Sequence, residues 1–78
     1  MLHVGKTKHF AHRLNKCLDE LDLPADTRQR SAILSKMLKI PRQQAWMLLE
    51  GHQMPEEALL NQIAEEFEVE PDWLLTGK

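Results

Sequence analysis

Seventy-eight residues make one domain, and a chain this short buries only about 60% of its unfolded surface, so its core is small. A single cysteine excludes an intrachain disulfide and a cysteine-built zinc site, and no apolar run approaches the roughly 18 residues of a membrane span. The net charge of −2 hides a division: residues 1–44 carry nine Lys and Arg against four acids, a net +5, while residues 45–78 carry Lys78 against eight acids, a net −7.

Tyrosine is absent and Leu, Glu, Lys, Gln, Ala and Met are plentiful, which favours helix throughout. Five helical segments are predicted. The first runs from about residue 6 to residue 21, with Phe10, Leu14, Cys17, Leu18 and Leu21 on one stripe. Residues 1–8 are expected to act as a flexible arm ahead of a domain at 9–78. The opening MLHVGKTKHF does not read as a signal peptide. Pro24 disfavours helix at the residue before it and ends the first segment. Asp26 or Thr27 can cap the second, which turns Ile33, Leu34, Met37 and Leu38 inward. Ile40 and Pro41 form a turn, with Pro41 suited to the first position of the third helix at 42–50, which Gly51 stops. Pro55 opens the fourth, with Leu59, Leu60, Ile63, Ala64 and Phe67 inward. Glu70 and Pro71 begin a last short helix that brings Trp73, Leu74 and Leu75 onto the core.

Residues 31–50, SAILSKMLKIPRQQAWMLLE, read as two short helices at an angle joined by a tight turn. Ser35 is small where the two helices must approach closely. A polar run of Arg42, Gln43 and Gln44 opens the second of them. A DNA-reading helix-turn-helix needs this combination: a bracing helix, and a second helix with long hydrogen-bonding side chains at its exposed N-terminal end.

The chain from residue 30 onward resembles the DNA-binding domain of the lambda-repressor/Cro superfamily, the XRE-type regulators. The likeness rests on the twenty-residue motif, on Gly51 and Pro55 after it, on the amphipathic fourth helix, and on the close VEPDWLLTG at 69–77. Arg13 and Leu14 of the first helix fit more loosely. The link at 22–29 is longer than usual, as in a phage-repressor branch of the family. The resemblance implies an all-α, five-helix lambda-repressor-like domain that binds duplex DNA as a homodimer, in the cytoplasm and on the nucleoid of a prokaryote or a phage host. Dimer contacts would come from helix five, helix four or residues 1–8, with Trp73 and Leu75 as candidate interface residues.

It also implies that the helix at 42–50 enters the major groove. Arg42, Gln43, Gln44 and Met47 would contact bases: arginine suits guanine and glutamine suits adenine, each in two-pronged fashion. Arg28, Arg30, Ser31, Lys36, Lys39 and His52 would contact the DNA backbone, so Arg30→Ala should weaken all sequences alike. Lys6 and Lys8 are weaker phosphate candidates. Two departures stand out. Lys39 occupies a turn position that needs a left-handed backbone and usually holds glycine, at a cost of about 1–2 kcal/mol. Trp46 and Met47 stand where outward residues are usually polar. They either meet thymine methyl groups or pack on protein. The second alternative makes the chain a protein-interaction module on the same fold. An antitoxin that binds both DNA and a toxin is a third reading.

Other residues carry less. Cys17 reads as a core filler. His9 and His12 stand three apart with His3 nearby, yet no carboxylate or cysteine completes a ligand set, so neither metal nor other cofactor is expected. Glu65, Glu66, Glu68, Glu70 and Asp72 lack the spacing of a calcium loop and read as a solvated acidic face. No nucleophile–base pair or phosphate-cradling glycine loop is present, so no enzyme is expected.

Overall fold

Five helices follow one another: α1 (Val4–Glu20), α2 (Thr27–Leu38), α3 (Arg42–Glu50), α4 (Glu57–Phe67) and α5 (Pro71–Thr76). The computed structural model describes residues 4–77, and no strand occurs among them. Each helix contributes to the fully buried core: Phe10, Leu14 and Leu18 from α1, Leu34 from α2, Leu48 from α3, Ile63 from α4 and Leu74 from α5. Burial of each such side chain stabilises by roughly 1.5–3 kcal/mol. The most extensive helix contact joins α2 and α3; α1 packs on α5 and α3, and α4 on α5 and α2.

The helix ends differ in places from the sequence expectations. Residues 4–8 of the expected arm belong to α1, and residues 1–3 lie outside the described residues. The tie is physical: Lys8 Nζ donates to the Glu50 carbonyl at 3.0 Å, holding the start of α1 on the end of α3. Gly51 makes that approach possible. It sits at φ 79°, and a Cβ there would lie 2.9 Å from Lys8 Cδ and 3.3 Å from the Thr7 carbonyl oxygen. At its other end α1 stops one residue early. Asp22 takes a left-handed φ of 59°, and Leu21 leaves the buried stripe for solvent, at 53% exposure. Ile33, expected inward, is half-buried. Pro41 and Pro55 precede their helices rather than open them: Pro41 occupies the position before α3 without a side-chain hydrogen bond to it, and Glu56 stands at that position of α4.

The α2–α3 turn is closed from both sides by one residue. The Asp26 carboxylate first accepts from the Gln29 amide and starts α2. Lys39 then adopts φ 58° and ψ 46°, the left-handed conformation expected of it, and its amide donates to the Ser35 carbonyl. The Ile40 amide donates to the same carbonyl at 3.1 Å. The Ser35 hydroxyl in turn donates to the Ile40 carbonyl at 2.6 Å. A small hydroxyl residue at position 35 therefore serves both close approach and closure of the turn. Gln62 Nε2 of α4 satisfies the Leu38 carbonyl at 3.1 Å, covering one of the acceptors that the end of α2 leaves open.

Arg30 is the main correction to the sequence reading. Expected on the surface as a DNA-backbone contact, it is 3% exposed. Its Nε donates to the Pro24 carbonyl at 2.5 Å, and one terminal nitrogen donates to both the carbonyl and Oδ1 of Asn15. The other pairs with Asp19 and reaches the Leu23 carbonyl at 3.4 Å. Asn15 continues the chain of contacts, donating to Leu49 of α3 at 3.1 Å. The guanidinium thus closes the long link before α2 and fastens α1 to α2. Asp19 is 63% exposed, so the ion pair itself contributes little, and the buried carbonyl bonds dominate.

Two outcomes follow for stability. Arg30→Ala should destabilise by about 3 kcal/mol in urea titration, and Arg30→Lys should recover only part of this, because an ammonium cannot serve the diverging acceptors as a planar fork does. Lys39→Gly should stabilise by about 1 kcal/mol, which for a domain of this size raises Tm by about 4–8 °C. A melting temperature unchanged or lowered by Lys39→Gly would show that the turn holds no such strain.

Candidate nucleic-acid interface

Helix α3 begins at a turn and not at a capping side chain. Pro41 precedes it at φ −58° and ψ 145°, without a side-chain hydrogen bond to the helix end. The first intrahelical bond runs from Ala45 to the Pro41 carbonyl at 3.1 Å. The amides of Arg42, Gln43 and Gln44 therefore have no partner within the helix. No acidic residue stands in the first turn of α3 and no side chain caps it, so the positive end of its dipole is left uncompensated by side chains, whereas the Asp26 carboxylate caps α2.

An open hollow of about 420 Å³ lies at this end, lined by Arg28, Ser31, Arg42, Gln43 and Trp46. Arg28 and Ser31 come from α2, the other three from α3. Arg28, Arg42 and Gln43 are exposed. Arg42 leans toward α2, its guanidinium 3.4 Å from the Arg28 carbonyl oxygen. The two cations are thus gathered at one mouth, and no carboxylate shares the lining. Trp46 forms an apolar wall, 40% exposed. The His52 ring lies against it, centroids 5.2 Å apart at an interplanar angle of 36°.

The expected site residues divide around this hollow. Arg28, Arg42, Gln43 and Trp46 come together there. Gln44 and Met47 are half-buried, and Lys36, Lys39 and His52 are exposed outside the lining. Arg30 is withdrawn into the core. Ser31 is also corrected: it is 2% exposed, and its hydroxyl is buried without a hydrogen-bond partner. It lines the base of the hollow instead of standing on the surface. Trp73 and Leu75, the candidate interface residues of α5, are half-buried against the core. Sequence reasoning missed the positioning residues Asn15 and Arg13. Arg13 donates to the Leu74 carbonyl at 2.8 Å and the Leu75 carbonyl at 3.0 Å, fastening α5 to α1. The available signal was a cation and an amide beside the apolar stripe of α1, at positions that face neighbouring helices as readily as water.

Other chemistry finds no support in the geometry. Cys17 is 6% exposed, and burial, with the Glu20 carboxylate adding to it, pushes its thiol above its ordinary pKa. A reactive thiolate needs the opposite environment. Among the described residues no three His, Cys, Asp or Glu side chains converge as a metal site would require.

Comparison of the chain with protein families, curated proteins and solved structures finds no match. What the site can do rests on its own geometry.

The buried Ser31 hydroxyl gives a direct test. An unpaired buried hydroxyl costs about 1–3 kcal/mol. Ser31→Ala should therefore leave stability unchanged or raise it by about 1 kcal/mol in denaturant titration. A loss of 2 kcal/mol or more on this substitution would mean that the hydroxyl is in fact satisfied.

Proposed function

We propose that this chain is a sequence-specific duplex-DNA-binding regulator, a helix-turn-helix protein of the lambda-repressor/Cro type, repressor-like and homodimeric. The observation that carries the reading is the cationic, carboxylate-free hollow at the uncapped start of α3. The close packing of α2 on α3, with the left-handed turn at Lys39 between them, supports it.

In this reading α3 lies in the major groove. Arg42 addresses a guanine edge and Gln43 an adenine edge, each good pair discriminating by about 1–3 kcal/mol. Arg28 takes a phosphate beside them, and Lys36 and Lys39 add weaker backbone contacts. Arg30 plays no part in contact; its role is to hold α2 in place. Trp46 offers its indole to thymine methyl groups. Nine helical residues are about 13 Å long, enough for a few base pairs only. Two copies on half-sites about 34 Å apart supply the remaining specificity, a spacing that fits a domain measuring 32 × 25 × 22 Å.

A second reading draws on one observation, the exposed indole of Trp46 beside His52. There α3 would meet a protein surface instead of a groove.

Selection of bound sequences from a random duplex library, followed by anisotropy titration, tests both. The expected product is a two-fold symmetric site bound in a salt-dependent way. Arg42→Ala should relax preference at one base pair of each half-site, and Arg28→Ala should weaken all sequences and lower the salt slope by about 1. A library with no enrichment at low salt would sink the DNA reading. Loss of a protein partner on Trp46→Ala, without any DNA affinity to lose, would establish the other.

A further inference from the structure

A second groove lies elsewhere on the molecule. It measures about 250 Å³ and is lined by Cys17, Glu20 and Leu21 at the end of α1, and by Glu66, Phe67, Glu68 and Val69 at the end of α4. It shares no residue with the cationic hollow. Its existence follows from the packing: α1 and α4 are not among the closely packed helix pairs, so their ends leave a gap. The floor is apolar, with Cys17 buried and Phe67 and Val69 half-buried. At the edge stands Leu21, 53% exposed, the most exposed large apolar side chain described.

The rim is negative for two independent reasons. Glu20, Glu66 and Glu68 are exposed, and among the described residues none of them is paired with a cation. The groove is also bounded by two helix C-termini, and neither α1 nor α4 carries a basic residue in its last turn. Both dipole ends therefore add to the negative potential of the carboxylates.

We infer that this groove is a docking surface for a lysine- or arginine-rich segment of another protein, anchored by one large apolar side chain. Charge decides among occupants. A nucleic acid or an anionic membrane would be repelled. A second copy placed groove to groove would set three carboxylates against three of its own kind. A cationic segment completes the unpaired carboxylates and the dipole ends together. Volume decides the anchor: the groove falls below the roughly 300–1,000 Å³ of small-molecule sites and suits a single side chain such as Leu or Phe. Leu21 and Phe67 would flank that side chain, with the charged rim around it, the arrangement of an interface anchor inside a polar ring. The inference does not depend on the DNA reading, because it uses none of the residues of the first hollow.

The test uses the whole chain, isotopically labelled, and three synthetic peptides of equal length. One carries Lys and Arg around a central Leu, one carries the same charges around Ala, and one carries Glu around Leu. Titration followed by amide NMR should show shifts confined to residues around 17–21 and 66–69 with the first peptide. Binding should weaken severalfold between about 50 and about 300 mM NaCl. Glu66→Lys and Leu21→Ser should each weaken it roughly tenfold. Both positions are exposed, and an unchanged circular dichroism spectrum checks that the fold survives. Absence of localised shifts, equal binding of the Ala or Glu peptide, or movement of the same resonances with protein concentration alone would each overturn the inference, the last in favour of self-association.

Discussion

The Arg30 guanidinium is the contact on which the geometry of this molecule depends. It projects from the start of α2 and serves acceptors from the long link after α1 and from the body of α1. Through Asn15 the same network reaches the Leu49 carbonyl near the end of α3. The small core can bury seven large side chains from five helices, but apolar contact is non-directional and does not by itself set the register of one helix on another. A planar donor with fixed bond directions does. A polar node beside the core thus ties α2 to α1 and, through Asn15, α1 to the end of α3, and α2 and α3 are the two helices that share the hollow.

This has a consequence for how the charge of the chain is read. Nine cations in residues 1–44 suggest a strongly positive face. Four of them, Lys8, Arg13, Arg30 and, at a longer 3.4 Å, Arg42, donate to backbone carbonyls of other elements. Arginine and lysine near helix ends satisfy acceptors that would otherwise be orphaned. The cations that stay exposed at the hollow and beside it are a smaller set, Arg28 and Arg42 with Lys36 and Lys39, while Lys6 and Lys16 are exposed on α1. A charge count therefore overstates the electrostatic footprint, which the position of the exposed cations defines.

The elements were legible in the sequence because their signals are local. The apolar stripe of α1, the Asp26 cap, the left-handed Lys39, the small Ser35 and the stop at Gly51 all follow from a few neighbouring residues, and each lies where those residues require. The interior path of Arg30 was not legible. Its acceptors are carbonyls, which no residue code distinguishes, and their convergence depends on a link whose course is set only after α1 and α2 have packed. Leu21 failed for a related reason. Its spacing continued the stripe, but Asp22 turns the chain one residue sooner. The sinking of Ser31 likewise depends on how closely α2 and α3 approach, a property of the pair and of neither helix alone.

Screening reconciles a net negative molecule with a cationic hollow. At physiological salt a charge acts over about 8 Å, while the shortest dimension of the domain is 22 Å. Each charged patch therefore governs its own neighbourhood, and an anion at Arg28 and Arg42 experiences those two guanidinium groups far more than the carboxylates lining the α1–α4 groove. The charges divide between surfaces because Arg28 and Arg42 line the first hollow, and Glu66 and Glu68, joined by Glu20 from the other half of the chain, line the second. Two surfaces of opposite sign repel each other's ligands, so a polyanion and a polycation could be held by one small domain without competing for the same side chains.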